Sequence, residues 1–452
     1  MIHLLHLLYA IPVAYLIARD TRLRPGVSKA VWIPTIWVGI ISSKAMTSWL
    51  GFGAGAGTLE GSPLDALFYL AMIVCALIVL SRRNVQWAKF ISGNKPVLIF
   101  YGFLLISVLW ANSPFVSFKR WFKECGNIFI VLVLLTEARP LEAIRAVFVR
   151  CAYFLIPLSV IYVRYLPDMG RRYSRSGGLE VIGVTNQKNT LGVMVLVCML
   201  ILLWDWLERM ELKKKMGKFD RYSIPTMFLL SFYLLYQSSS KTSLLCLVLG
   251  GAIISCIHFT ALRARVNRFG VYGLVAAVLF FAVDSSVGLS EMVVKSLGRD
   301  MTFTGRTEVW NVLLNIGTNP IIGTGFLSFW DDQNYSSRLP YWVGASAHNG
   351  YIDVYLAGGT IGVVLLSLML LLTGLRINKA LQEGSNFAVV RFAVFVVVLV
   401  ANLSESNFAL MTPIGFLFLL TALIYSPREN RAYFPATEIR RRVRPQSQFR
   451  AI

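Results

Sequence analysis

Apolar runs of close to 20 residues recur from one end of this 452-residue chain to the other. As an α-helix, a run of about 20 residues crosses the ~30 Å hydrocarbon layer with every backbone group bonded internally. Candidate spans lie at 2–18, 29–48, 64–81, 96–111, 119–136, 142–163, 187–207, 223–238, 241–260, 269–287, 349–373, 387–403 and 410–426. A membrane β-barrel would instead show segments of about ten residues alternating apolar and polar, and no such alternation runs through this sequence. The chain reads as an all-α polytopic membrane protein with about 12 or 13 transmembrane helices. The lower number applies if the first run only lies on the membrane. That run has no basic stretch before it and is followed by further spans, so it is expected to be retained rather than cleaved.

Hydrophobic residues make up 56% of the chain and charged residues 15%, against roughly 25% charged in soluble domains. The net charge of +21 would suggest nucleic acid in a soluble protein. Here it follows the positive-inside rule, so membrane lipids rather than nucleic acid are the expected partners. Arg19, Arg22, Arg24 and Lys29, then Arg82, Arg83, Lys89 and Lys95, then Arg139 and Arg145 mark one side. The KKKMGK run, Arg376, Lys379, Arg391 and the arginine-rich tail continue it, and this side is read as cytoplasmic. The organisation that follows is helices over 1–287 with a basic outward loop at 164–186, a large outward loop at 288–348, the last helices at 349–426 and a basic cytoplasmic tail at 427–452. The six cysteines show no CxxC pair, so neither a disulfide framework nor a metal site is indicated, and no cofactor is expected.

Some basic residues break the inside rule. Lys119, Arg120 and Lys123, then Arg171, Arg172 and Arg175, then Lys188, Lys241 and Arg306 fall on the outward side or at its boundary. A cation held near hydrocarbon costs several kcal/mol, so such residues face a cavity or an anionic partner, or else snorkel to headgroups. Phosphate suits them, bound through the bidentate fork of arginine or the point charge of lysine. A polyprenyl pyrophosphate presents phosphate at that boundary, and its departure needs cations or a metal to take up the developing charge. Acidic pairs are scarce. Asp331–Asp332 is the one adjacent pair and reads as a solvated turn, which favours chemistry without metal. Of four histidines, His348 alone sits where a polar segment meets a long apolar run. A neutral histidine there can accept a proton from an attacking sugar hydroxyl. Tyr351 and Tyr355 fall at helical spacing from it and, with Asn349, are expected to line its cavity.

Four stretches in order resemble the O-antigen ligase and Wzy-type polysaccharide polymerase superfamily. They are PDMGRRY with GVTNQKNTLG, SSSKTSLL, TGRTEVW with NPIIGTGFLSFW, and SAHNGYIDVYLAGGTIG, together covering residues 167–362. The resemblance implies a GT-C-like membrane glycosyltransferase using an undecaprenyl-pyrophosphate-linked glycan on the periplasmic face of the bacterial inner membrane. The acceptor would be a lipid-linked repeat unit for a polymerase or lipid A–core for a ligase, and a chain-length regulator would be an accessory partner. It carries catalytic roles to Arg306 and His348. It carries pyrophosphate binding to Arg172, with Arg171 and Arg175 as competitors, and to Lys188 and Lys241, alongside Arg120; Asn189 of the K-N motif would face the glycan. The TGRTEVW and GTGF pattern leans toward the exopolysaccharide polymerase branch. A lipid-linked oligosaccharide transporter, which would show paired broken helices in repeated halves, and a metal-dependent enzyme remain as alternatives.

Overall fold

The computed structural model describes residues 2–51, 62–173, 177–211, 218–256, 306–340, 342–383 and 385–425. The expected span at 269–287, the tail, most of the KKKMGK run and Arg175 lie outside them. Apart from a two-stranded hairpin, the regular structure of the described residues is helical, and the chain is an all-α polytopic membrane protein.

The helices are α1 (Ile2–Leu23), α2 (Trp32–Ile41), α3 (Pro63–Arg82), α4 (Lys95–Ile106), α5 (Pro114–Leu135) and α6 (Pro140–Tyr165). The hairpin β1 (Arg171–Tyr173) and β2 (Leu179–Val181) is followed by α7 (Lys188–Glu211), α8 (Lys218–Ser238) and α9 (Lys241–Ser255). Then come α10 (Arg306–Leu314), α11 (Gly350–Gln382), α12 (Asn386–Ala401) and α13 (Pro413–Ala422). Among the described residues, α3, α6, α7 and α11 are long and apolar enough to cross a membrane. Helix Trp87–Gly93 and the segment Lys95–Trp110 form a pair bent by 88°. In α6 and α7, 78% of the apolar window is buried within the protein, against 17% in α3. The first two form the centre of the bundle and the third leaves most of its surface to lipid.

The basic loops assigned to one side meet one another. Arg24 and Arg150 both pair with Asp20, at 2.8 and 2.9 Å, and Arg24 and Arg209 with Asp205, at 2.9 and 2.8 Å. Arg83 pairs with Glu137, which also accepts from Ser28 Oγ at 2.6 Å. Asp20, Arg24, Arg150 and Asp205 are all buried, and charges taken out of water persist only when partnered this closely.

The helix α11 is broken. Gly359 has φ 59° and ψ −156°, a region open in practice only to glycine. At the break the amides of Thr360 and Ile361 donate to the carbonyls of Pro320 and Ile321, at 2.8 and 3.1 Å. The carbonyls of Leu356 and Ala357, which would have accepted from those amides, take the amides of Thr324 and Gly325 instead, both at 2.9 Å. The NPIIGTG segment thus replaces the internal bonds that these two amides and two carbonyls give up at the break. The sequence suggests only a small-residue step at Gly358 and Gly362. Gly358 does lie against a neighbour, since a Cβ there would sit 2.7 Å from the Phe103 ring of α4.

Candidate functional site

A cavity of about 1270 Å³ opens between the N-terminal ends of four helices. Residues 186–190 bring the start of α7 to it and Arg306 starts α10 there; His348 precedes α11, and residues 410–413 precede α13. Each helix N-terminus is the positive end of a dipole, worth ~0.3–1 kcal/mol per favourable anionic contact, although Asn349 and Thr412 already take some of the first amides of α11 and α13. Together they build a site suited to an anion before any side-chain charge is added.

Glu405, in the loop between α12 and α13, organises the centre. Its Oε1 accepts from Asn189 Nδ2 at 2.7 Å and pairs with Arg306 at 3.0 Å. Its Oε2 lies 3.4 Å from His348 Nδ1. Arg306 also donates to the carbonyl of Ser404. A second carboxylate, Glu180 on β2, pairs with Arg172 at 3.1 Å and Lys188 at 3.2 Å. Because Lys188 and Asn189 are adjacent at the head of α7, the two carboxylate clusters share one wall.

Local sequence explains these positions. His348 sits outside the helix with φ 49°, a left-handed value uncommon for a side chain with a Cβ. Its amide donates to Ser346 Oγ at 3.1 Å. Asn349 is the cap of α11, its Oδ1 accepting from the amides of Tyr351 and Ile352 at 3.0 and 3.2 Å. Buried Asn402 holds the facing loop, its Oδ1 accepting from the amides of Asn407 and Phe408 at 2.9 and 3.2 Å. A small core of Leu313, Ile316, Phe329, Ala347 and Leu356 ties α10 to the segment before α11, so Arg306 and His348 are held by the same packing. Trp330 Nε1 donates to Asp353 Oδ1 at 3.2 Å, and Ser406 donates to the other oxygen of that carboxylate.

Of the residues singled out in the sequence, Arg306, His348, Arg172, Lys188 and Asn189 line this cavity. Others do not. Arg171 turns away and binds the carbonyl of Val163 at 3.0 and 3.2 Å, as strand alternation requires of a residue next to Arg172. Arg120 pairs with Asp331 and donates to the carbonyl of Leu327, which makes it a tether for the 327–331 segment. Asp332 caps the next turn, accepting from the Asn334 amide at 2.9 Å. Lys119 and Lys123 lie over the rings of Phe115 and Tyr69, at 4.9 and 5.5 Å. Lys241 heads α9 and is not among the residues that line the cavity, although the next residue, Thr242, hydrogen-bonds Ser404 beside Glu405 at 2.7 Å. Asn349 serves as a cap, and Tyr351 donates to the Leu399 carbonyl at 3.2 Å; Tyr355 is half-buried. None of these three lines the cavity. Tyr351 and Tyr355 share no helical face with His348, because His348 lies outside the helix.

Glu405 and Asp353 are not among the residues that charge topology or the motifs single out. A single acid in NLSESN between two apolar spans, and another one turn inside a long apolar helix, are the available signals, since an ionisable residue at such a place is a functional candidate by default.

Two comparisons bear on this arrangement. Residues 226–367, which include Arg306 and His348, match the family model Wzy_C, described as O-Antigen ligase. The exopolysaccharide production protein ExoQ of Rhizobium meliloti (strain 1021) is 24% identical over 370 residues, covering 77% of this chain and 81% of that protein.

Proposed function

We propose, from the premise that this chain belongs with the O-antigen ligase and Wzy-type polymerase superfamily, that it is a Wzy-type exopolysaccharide polymerase. The coarser statement, a membrane enzyme of polysaccharide synthesis, is what the two similarities support directly. In the finer reading it is GT-C-like and lies in the bacterial inner membrane with its cavity facing the periplasm. It elongates a glycan carried on undecaprenyl pyrophosphate without a metal, and a chain-length regulator acts beside it. One observation carries the reading: Arg306, Asn189 and His348, far apart in sequence, meet on Glu405 inside a single cavity.

A hydroxyl of the acceptor glycan attacks the anomeric carbon of the donor. The bond from that carbon to the pyrophosphate oxygen breaks, and the pyrophosphate leaves with the electron pair. With Nδ1–H directed at Glu405, the free lone pair of His348 is on Nε2, which takes the hydroxyl proton. Arg306, Lys188, Arg172 and the four helix ends take up the charge that develops on the leaving group.

A ligase transferring finished polymer to lipid A–core is the second reading, favoured by the description of the matched family. Turnover of a lipid-linked repeat unit by the purified protein in EDTA tests the enzyme. Activity lost in His348→Ala and Arg306→Ala supports it, and activity retained in both refutes it. Gene deletion then separates the two readings. Single-repeat glycan indicates a polymerase, and full-length polymer left on its carrier indicates a ligase. Net movement of intact lipid-linked glycan with no new glycosidic bond would instead point to a transporter.

A further inference from the structure

Beside the cationic wall, the cavity has a neutral one. Asn407 is 4% exposed and lines the cavity. Its backbone is pinned by Asn402, yet its Nδ2 has no hydrogen-bond partner. A buried amide donor left without an acceptor is rare in native proteins, because its desolvation is uncompensated. On the same cavity lie two indoles. Trp342 is 46% exposed, and the neighbouring Val343 is buried. Trp330 is fixed at its ring nitrogen by Asp353 and packs edge-on against Phe329, centroids 5.0 Å apart. This wall is continuous with the histidine. Asp353 accepts from Ser406, Ser406 Oγ lies 3.3 Å from Ser346 Oγ, and Ser346 accepts from the amide of His348.

We infer that Trp342, Trp330 and Asn407 form a subsite for the acceptor saccharide. A sugar ring offers an apolar C–H face bordered by hydroxyl and acyl oxygens. An indole face accommodates the first, and a neutral amide N–H donates to the second. Neither group selects for phosphate, which the arginines and the helix ends serve. Trp342 and Asn407 belong to the segments that carry His348 and Glu405, so a ring seated here brings its hydroxyl beside the base. Asn407 Nδ2 is closed to solvent as it stands, and a rotation of the amide into the cavity that Asn407 lines gives it a sugar oxygen as acceptor. The assignment rests on the glycosyltransferase reading for its name, but the binding it claims can be measured without turnover.

The probe is the repeat-unit oligosaccharide freed from its lipid pyrophosphate by mild acid, titrated onto the full-length protein in nanodiscs. Binding is followed by tryptophan fluorescence and by saturation-transfer NMR. Wild type binds the lipid-free sugar, and Trp342→Ala and Asn407→Leu each weaken binding about tenfold. Trp342→Phe, which keeps an aromatic face, recovers most of the loss and guards against misfolding as the cause. If wild type turns over the lipid-linked donor but does not bind the free sugar, or binds it unchanged in both variants, the subsite is overturned and the enzymatic reading stands. If wild type binds the sugar with the expected variant pattern but forms no new bond, the subsite stands and the enzymatic reading falls.

Discussion

Replacing Glu405 by glutamine isolates the role of one charge at constant shape. Both carboxylate oxygens are committed as acceptors, Oε1 to Asn189 and Arg306 and Oε2 toward His348. Glutamine has one acceptor oxygen and one donor NH₂. If its NH₂ faces Asn189 and Arg306, donor meets donor. If it faces His348, it donates to Nδ1 and forces the proton onto Nε2, where the base should be empty. Either orientation removes something the chemistry uses. The Arg306–Glu405 pair is largely buried, with side-chain exposures of 15% and 18%, so the loss falls below that of a fully buried pair. Hydrogen bonds to charged groups of this kind contribute ~2–3 kcal/mol, equivalent to about a 30- to 150-fold fall in kcat. Purified protein in nanodiscs, given lipid-linked repeat unit and assayed by the glycan ladder, provides the measurement. The donor KM should change little, because the pyrophosphate keeps its cations and the loss is in orientation. A Glu405→Gln enzyme within about threefold of wild-type kcat would refute the reasoning.

Other outcomes follow from the same geometry. Arg172→Ala and Lys188→Ala should each raise the donor KM only about threefold and more at low salt, because both side chains are over 40% exposed. Arg120→Ala should lower thermal stability by about 1 kcal/mol while leaving the kcat of the folded fraction near wild type, with a double-mutant cycle against Asp331→Asn showing the coupling. Gly359→Ala should cost ~3 kcal/mol or more, since its φ of 59° is strained for alanine and the new Cβ would sit 2.3 Å from the Ile321 carbonyl carbon. Gly51→Ala, with positive φ but no atom of the described residues within 4 Å of the new Cβ, should cost only about 1 kcal/mol, and fluorescence-detected size exclusion after heating compares the two.

The fold class was legible because length and apolarity are local properties. The runs at 142–163 and 187–207 correspond to α6 and α7, and the start of the run at 349 corresponds to the cap at Asn349. Arg306, Arg172 and Lys188 were legible as charges that membrane topology did not explain. What periodicity could not supply was direction. Arg171 and Arg172 read alike until a strand sends them to opposite faces, and Tyr351 shared a face with His348 only on the assumption that the histidine was helical. Glu405 was hidden for a different reason. Its three partners lie 216, 99 and 57 positions away in the chain, so only the folded chain reveals what it holds.

The break at Gly359 has a consequence for how such a protein can be re-engineered. Because the NPIIGTG segment supplies the hydrogen bonds that the interrupted helix gives up, the residues before the break form a cassette with that segment rather than with the membrane shaft beyond it. A graft between relatives that cuts inside 320–361 separates paired amides from their carbonyls, whereas one that moves the whole stretch from α10 through Ile361 carries its bonding along. The seam for exchanging this module therefore lies just past the glycine, within what the sequence presents as one uninterrupted span.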